Sequence, residues 1–388
     1  MAVITTSPKT RPRQSRVASG GHSVEAIDVT AKARGLADFS DHERVFEVRH
    51  PAAGLHAIIA IHDTTLGPAL GGCRMWPYAS ATGAMRDALR LSRGMTFKSA
   101  LAGLELGGGK AVIIGDPKTG KSGALFRAFG SVVEGLRGSY ITGEDLGTSV
   151  EDMDWVGERT SHVIGTTRRG GDPSPMTALG VCEGIKAAVK FRLASDTLAG
   201  VKVAVQGLGH VGYALCQRLA GEGARLVVAD IDPERVARAT EEFDATALAP
   251  EKIHAADADV FAPCALGAVL NDDSIPELRC AIIGGSANNQ LENEKHGEAL
   301  RARGLLYAPD YVINAGGLIS GSMELAGEDP RGAKAWALVC QIGATLGEIF
   351  TRAEADGVAP NVIADRIAVE RIADAAGGLA SRVRGSRG

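Results

Sequence analysis

Aromatic side chains are scarce in this 388-residue chain, at 4% of the whole. That supply is too thin for base-stacking platforms. An excess of positive charge is missing too, the formal net charge being −4. Nucleic acid and anionic membrane surfaces are therefore not expected as partners. No apolar run reaches the ~20 residues that span a bilayer. Paired cysteines are absent as well: Cys73, Cys182, Cys216, Cys264, Cys280 and Cys340 stand apart. With no C-x-x-C spacing and no metal-spaced histidines, no metal site is expected. Thiols scattered through apolar segments read as small buried hydrophobes in a reducing cytoplasm.

What the chain has is length, glycine and a regular alternation of apolar segments. Its 388 residues exceed one typical domain, so two domains are expected. Residues 1–40, with "TTSPKTRPRQSRVASGGHS", lack a core-forming run and read as a disordered extension, an Arg- and Ser-rich transit peptide being the other reading. From Arg44, "RVFEVRH" and "LHAIIAIHDT" read as strands. Met85, Ala88, Leu91 and Met95 then recur at helical spacing. The strand "AVIIG" and the helix "GALFRAFGSVVEGL" follow within a first domain of residues 41–172. "TTRRGGDPSP" is a loop and a domain boundary, with Ser174 as helix cap and Pro175 at the first helical position.

Residues 173–330 alternate short apolar strands with helices, which implies crossover units and a parallel sheet covered on both faces. Residues 331–380 read as long helices, around Ala333–Ala355 and Asn361–Ala376, partly returning to the first domain. The fold class is α/β: an N-terminal α/β domain and a doubly wound dinucleotide-binding domain of Rossmann type.

Within "VKVAVQGLGHVGYALCQRL", Gly207, Gly209 and Gly212 stand in G-x-G-x-x-G spacing after a strand and at the start of a helix. The first glycine permits the tight turn, the second lets backbone approach a pyrophosphate, and the third allows close helix–strand packing. Leu208, His210 and Val211 fill out the same loop and helix start, whose N–H groups face the phosphates. Asp230 ends the next strand, where an acid holds ribose hydroxyls and repels a 2′-phosphate. NAD is the expected cofactor. A plain βαβ turn without a ligand, with Asp230 a mere strand-end acid, is the competing reading.

"LELGGGKAVIIGDP" places Gly107, Gly108 and Gly109 before Lys110. A phosphate loop of the Walker type needs spaced glycines and a hydroxyl after the lysine, and Ala111 is neither. The glycines can instead clear space beside a ligand, with a lysine buried among apolar residues serving as a base. Lys98 ends the preceding helix, and "YITGEDLGT" adds Asp145 in a glycine-flanked loop. Two lysines, a carboxylate and a nicotinamide cofactor point to hydride chemistry on a small anion; ordinary surface charges are the alternative.

Seven ordered segments, "GPALGGCRMWPY", "LSRGMTFKSALAGLELGGGK", "YITGEDLGT", "VQGLGHVG", "APCALG", "GSANNQL" and "YAPDYVINAGG", resemble the leucine, phenylalanine and valine dehydrogenase family. The resemblance runs from about Val45 to Ala376. It implies reversible NAD-dependent oxidative deamination of an L-amino acid in a cleft between a substrate-binding, oligomer-forming first domain and the cofactor domain. Lys98 resembles the lysine that binds the substrate carboxylate beside the backbone of Gly71 and Gly72. Lys110 resembles the catalytic lysine, and Asp145 the carboxylate that exchanges a proton with the amino group. Thr177 matches a position near the nicotinamide carboxamide, and Asn288 and Asn289 match positions near its ribose and the substrate. A homo-oligomer is implied. An inactive, NAD-sensing protein of the same fold is the alternative, although Lys98, Lys110 and Asp145 are all present.

Positions matching Leu70, Met95, Gly143 and Gly321 line that family's side-chain pocket. Leucine enzymes usually carry Ala where Gly143 stands, phenylalanine enzymes Gly, and many members of both carry Val at 321. Two small residues imply an enlarged pocket, tilted from leucine, valine and isoleucine toward Phe or Trp. Leu70 and Met95 offer no cation to a side-chain carboxylate, so glutamate is disfavoured, since unpaired buried charge costs several kcal/mol.

Overall fold

The computed structural model describes residues 16–17, 24–168 and 170–385. The chain forms two compact units. Unit 1 takes residues up to Thr64, Pro68–Met95 and Gly108–Val163, and unit 2 takes Thr65–Gly67, Thr96–Gly107 and everything from Ile164.

Unit 1 is built on strands β1 (Arg16–Val17), β2 (Val24–Asp28), β3 (Arg44–His50), β4 (Leu55–Asp63), β5 (Ala69–Leu70), β6 (Cys73–Trp76), β7 (Gly107–Ile114) and β8 (Tyr140–Ile141). The sheet order is β1-β2-β3-β4-β7-β5-β8, with β6 paired to β7. β3, β4 and β7 run antiparallel in turn, while β6–β7 and β5–β8 are parallel. "LHAIIAIHD" is apolar on both faces because β4 is central: Ala57 through Ile61 are all buried. Helices α1 (Thr30–Ala33), α2 (Ala81–Leu101), α3 (Gly123–Gly135) and α4 (Val150–Gly157) complete the unit, α2 running on into unit 2. Ser122 caps α3, and Ser149 and Asp152 form a capping box on α4.

The expected disordered extension is corrected over 24–40. β2 pairs antiparallel with β3, Glu25 opposite Arg49. Thr30 then ties the turn, its Oγ1 accepting from Val45 N at 2.8 Å, and Ala33 is fully buried. The stretch folds because a neighbouring strand offers its ladder, which no local apolar run announces. For residues 1–15 and 18–23 the expectation lies outside the described residues.

Unit 2 begins with α5 (Ser174–Leu193) and continues through β9 (Lys202–Gln206), α6 (His210–Gly221), β10 (Arg225–Ala229), α7 (Pro233–Phe243), β11 (Thr246–Ala247), β12 (Val260–Pro263) and β13 (Ile282–Ile283). α8 (Lys295–Ala302), β14 (Leu306–Tyr307), α9 (Asp310–Ile313), α10 (Gly316–Leu325), α11 (Ala333–Asp356) and α12 (Pro360–Gly385) complete it. The sheet order β11-β10-β9-β12-β13-β14 is parallel at every pairing. In chain order this reads 3-2-1-4-5-6, the doubly wound arrangement whose direction reverses between β9 and β12. Ligands of such sheets bind at the carboxyl ends of the two strands flanking that reversal.

Two local expectations shift. The fold divides at Val163/Ile164 rather than at 172/173, because Gly165 N–H donates to the Glu324 carboxylate of α10 at 3.1 and 3.2 Å. Ser174 does not cap α5; Asp172 Oδ1 accepts from Ser174 N at 2.9 Å instead. α11 and α12 belong wholly to unit 2, where Arg371 donates to the carbonyls of Ala100 and Leu101 at the end of α2.

Candidate active site

In unit 1 the site is built where β6 and β7 lie side by side. A Cβ on Gly71 would come within 1.7 Å of the Gly109 carbonyl oxygen, and one on Gly72 within 2.8 Å of Asp145 Cβ. A Cβ on Gly109 would meet the Tyr140 ring at 2.7 Å. Tyr140 itself donates from its hydroxyl to Gly71 O at 2.7 Å. The expectation that the glycine run clears room for ligands is thus corrected at Gly109: the space is filled by protein. Glycine here lets backbones touch.

That close approach fixes Lys110. Only 5% exposed on β7, it extends its ammonium to 3.0 Å from Asp145 Oδ2. Arg74, on β6, donates from Nε to the same oxygen at 2.9 Å. Burial raises the Asp145 carboxyl, but the charges of Lys110 and Arg74 outweigh it and hold the group at about 2. Thr148 anchors the backbone, its Oγ1 accepting from Asp145 N and donating to Cys73 O, both at 2.9 Å. Of the expected pocket residues in this unit, Leu70 is buried and Met95 half-buried. Gly143 is buried, its carbonyl accepting from Cys73 N at 2.8 Å.

Unit 2 holds the remaining expected residues. Lys98, in the last turn of α2, groups with this unit rather than the first. Its Nζ donates to Asn314 Oδ1 at 2.6 Å. Asn314 Nδ2 donates onward to Asn288 Oδ1 at 2.7 Å and Ser286 O at 3.1 Å. Asn289 adopts a left-handed backbone, φ 51°, and its carbonyl accepts from Ala268 N. The buried Asp310 steadies this loop, with Oδ2 accepting from Gln290 N at 2.8 Å. Thr177 sits in the first turn of α5 facing Gly317, where a Cβ would come within 2.8 Å of its Oγ1.

The glycine motif follows β9. Gly207 has φ 93°, and a Cβ on Gly212 would fall 1.9 Å from the Gly207 carbonyl oxygen, so both are demanded by the turn itself. A Cβ on Gly209 would meet nothing within 4 Å. Gly209 is the N-cap of α6, and no side chain caps that helix. Open backbone at an uncapped helix start fits a pyrophosphate. Asp230 closes the loop from β10, its Oδ2 accepting from Leu208 N at 2.6 Å. Leu208 is buried, so it serves by backbone; Val211 is half-buried and His210 exposed. Gln206 Oε1, at the carboxyl end of β9, is buried and has no hydrogen-bond partner among the described residues.

The enlarged pocket expected from Gly321 is also corrected. A Cβ at 321 would meet Ile164 Cδ1 at 2.6 Å, so the isoleucine occupies the room the missing side chain leaves. Sequence reasoning passed over Ile164, Arg74, Asp310 and Asn314. The last three lie inside segments carrying the family resemblance, and a polar residue embedded in an apolar segment was the available signal. Among the described residues no cluster of side chains could hold a metal ion.

One unit holds a doubly wound sheet with an open glycine turn and the other a buried lysine–aspartate pair, the features of a dehydrogenase. Comparison with known proteins gives the family. Residues 42–162 match the family model for the Glu/Leu/Phe/Val dehydrogenase dimerisation domain. Residues 229–376 match that for Glutamate/Leucine/Phenylalanine/Valine dehydrogenase. The chain belongs to this family of amino-acid dehydrogenases, oxidoreductases that use a nicotinamide cofactor. It is 52% identical to the leucine dehydrogenase of Bacillus cereus over 86% of this chain and 91% of that one. It is 44% identical to the phenylalanine dehydrogenase of Bacillus thermotolerans, over 89% and 94%. The crystal structure of L-tryptophan dehydrogenase from Nostoc punctiforme superposes with a TM-score of 0.77 at 46% identity, covering 89% of this chain and 99% of that one.

Proposed function

We propose that this protein catalyses the reversible, NAD-dependent oxidative deamination of a hydrophobic L-amino acid to its 2-oxo acid and ammonium. The observation that carries the reading is the buried Lys110–Asp145 pair, 3.0 Å apart, with both residues in the family's motifs. NAD, when bound, supplies the acceptor for the hydride that leaves Cα. Gly207, Gly209 and Gly212 with the start of α6 hold its pyrophosphate, and Asp230 its ribose hydroxyls. The carboxylate at 230 is followed by Ile231 and Asp232. A 2′-phosphate would meet two acids and no arginine there, which favours NAD over NADP.

The chain's own residues carry the proton chemistry. Lys98, with backbone at Gly71 and Gly72, binds the substrate carboxylate. Lys110 activates the water that adds at Cα and polarises the carbonyl oxygen in the reverse direction. Asp145, held ionised, is a weak base; it steadies the cationic nitrogen and orients Lys110. This narrows the proton-exchanging role that the sequence implied for it. Thr177, Asn288 and Asn289 complete the nicotinamide side. Ile164 in the space beside Gly321 favours branched aliphatic side chains, leucine above all, over phenylalanine and tryptophan. The six thiols are all free, which fits a reducing cytoplasm. Residues 42–162 are the expected contact surface of a homo-oligomer.

Purified protein, NAD and a panel of amino acids, followed by NADH absorbance, test the reading. Turnover is expected on Leu, Ile and Val, with Phe and Trp slower. No turnover on any hydrophobic amino acid refutes it. Lys110→Ala should lower kcat by about 1,000-fold or more while NADH binding persists.

A further inference from the structure

We propose that Arg74 is a positioning residue for this reaction: gripped by Asp87, which Tyr78 braces, it locks the Asp145 carboxylate against Lys110. Arg74 spans two acids. Its Nε donates to Asp145 Oδ2 at 2.9 Å and its Nη1 to Asp87 Oδ2 at 3.0 Å. Both acids and the arginine are largely buried, with side chains 13–19% exposed. Asp87, on α2, is in turn held from two sides. The Tyr78 hydroxyl donates to Oδ2, and Arg90, one turn along, donates to Oδ1 at 3.0 Å.

Asp87 and Tyr78 are needed because Arg74 borders solvent. Arg74, Trp76, Tyr78, Arg86 and Asp87 line an open cavity of about 350 Å³. A guanidinium tied only to Asp145 would gain hydration by swinging into it. Asp87 opposes that swing with a charge-assisted bond. Tyr78 reinforces Asp87: burial, then the hydrogen bond and charge of Asp87, raise its hydroxyl well above the usual phenol range, so it stays a donor.

The consequence falls on Asp145. The titratable and charged groups facing it are Lys110 from β7, Arg74 and Cys73 from β6, and Tyr140 from β8. Burial raises Cys73 and Tyr140, so both are neutral at working pH. Lys110 and Arg74 are therefore the two cations that oppose protonation of Asp145, and Arg74 is the one with no expected part in proton transfer. Losing it should let Asp145 take up a proton at a higher pH and free its carboxylate to turn away from Lys110.

The kinetic test rests on the reaction proposed above; titration of Asp145 by carbon-13 NMR does not need turnover, so the two can fail separately. Arg74→Gln should lower kcat by ~10–100-fold, leave the KM for NAD within about two-fold, and move the Asp145 carboxyl titration up by about one unit. Arg74→Lys, which restores the charge, should recover most of kcat and return the titration. A purely structural role would lower stability and activity without moving the Asp145 titration. If Arg74→Gln does not fold, Tyr78→Phe and Asp87→Asn decide, with smaller shifts in the same direction expected. An Asp145 titration identical to wild type in the folded variants overturns the proposal.

Discussion

Two glycine-rich stretches in this chain look alike as text and differ in what stands where their side chains would be. Around Lys110, Gly71 and Gly109 touch: missing Cβ atoms are replaced by the Gly109 carbonyl and the Tyr140 ring. Around α6, Gly207 and Gly212 lean on each other in the same way, yet Gly209 between them faces open space. The first set exists so that β6, β7 and β8 pack closely enough to bury a lysine against an aspartate. The second leaves one backbone position bare. Glycine's purpose is read from its surroundings, since the residue itself states only that no Cβ is tolerated or needed.

That contrast can be broken by experiment. The largest effect should come from Gly71→Ala. Its Cβ would press to 1.7 Å of a backbone oxygen, which β7 cannot yield without displacing Lys110. A loss of about 3 kcal/mol or more and a collapse of activity are expected in denaturant melts and turnover assays. A stable, active Gly71→Ala enzyme would contradict the packing role. Next come Gly212→Ala and Gly209→Ala, compared directly by NADH titration. The first, 1.9 Å from Gly207 O, should destabilise the loop and weaken NADH ~10–100-fold. The second should leave the melting temperature within about 1 °C and weaken NADH only ~3–10-fold. If the second melted as early as the first, the open position would be misread.

A further effect concerns acid. Asp145 is depressed from 3.8 to about 2, so its ion pair stabilises the fold above about pH 4 and is lost as pH falls through about 2. The contribution is about 2 kcal/mol. Urea melts at about pH 6 and about pH 2.5 should show Asp145→Asn losing that part of the pH dependence. An unchanged pH dependence would mean Asp145 titrates alike in the folded and unfolded chain.

Much of unit 2 was legible in the sequence. α7 (Pro233–Phe243) falls within the expected alternation of strands and helices, and the strand–glycine–helix order around 202–221 needs no partner to be recognised. α10 was not legible. "GGLISGSMEL" carries three glycines, each costing a helix about 1 kcal/mol. It forms because tertiary contact demands those glycines: a Cβ on Gly316 would strike the Met176 carbonyl at 2.0 Å, and one on Gly321 would strike Ile164. β2 was missed for a related reason, since its stability lies in its pairing with β3. At the site, Lys98, Lys110, Asp145 and the cradle glycines stood in motifs. Arg74 and Tyr78 stood in one too, but their roles, like those of Asp87 and Ile164, depend on partners elsewhere in the chain.

By itself, the sequence determined what local periodicity and residue chemistry can specify. That covers the alternation of strands and helices, the glycine turn with an acid ending the next strand, and two lysines and an aspartate in a family's order. Only the tertiary structure decided what those residues meet. It put Tyr140 and Gly71 where the glycine run had promised space, and Ile164 where Gly321 had promised a larger pocket. It also set a second cation on Asp145. Volume and charge at a point depend on every chain segment that reaches it, and in the folded protein those segments come from distant parts of the sequence.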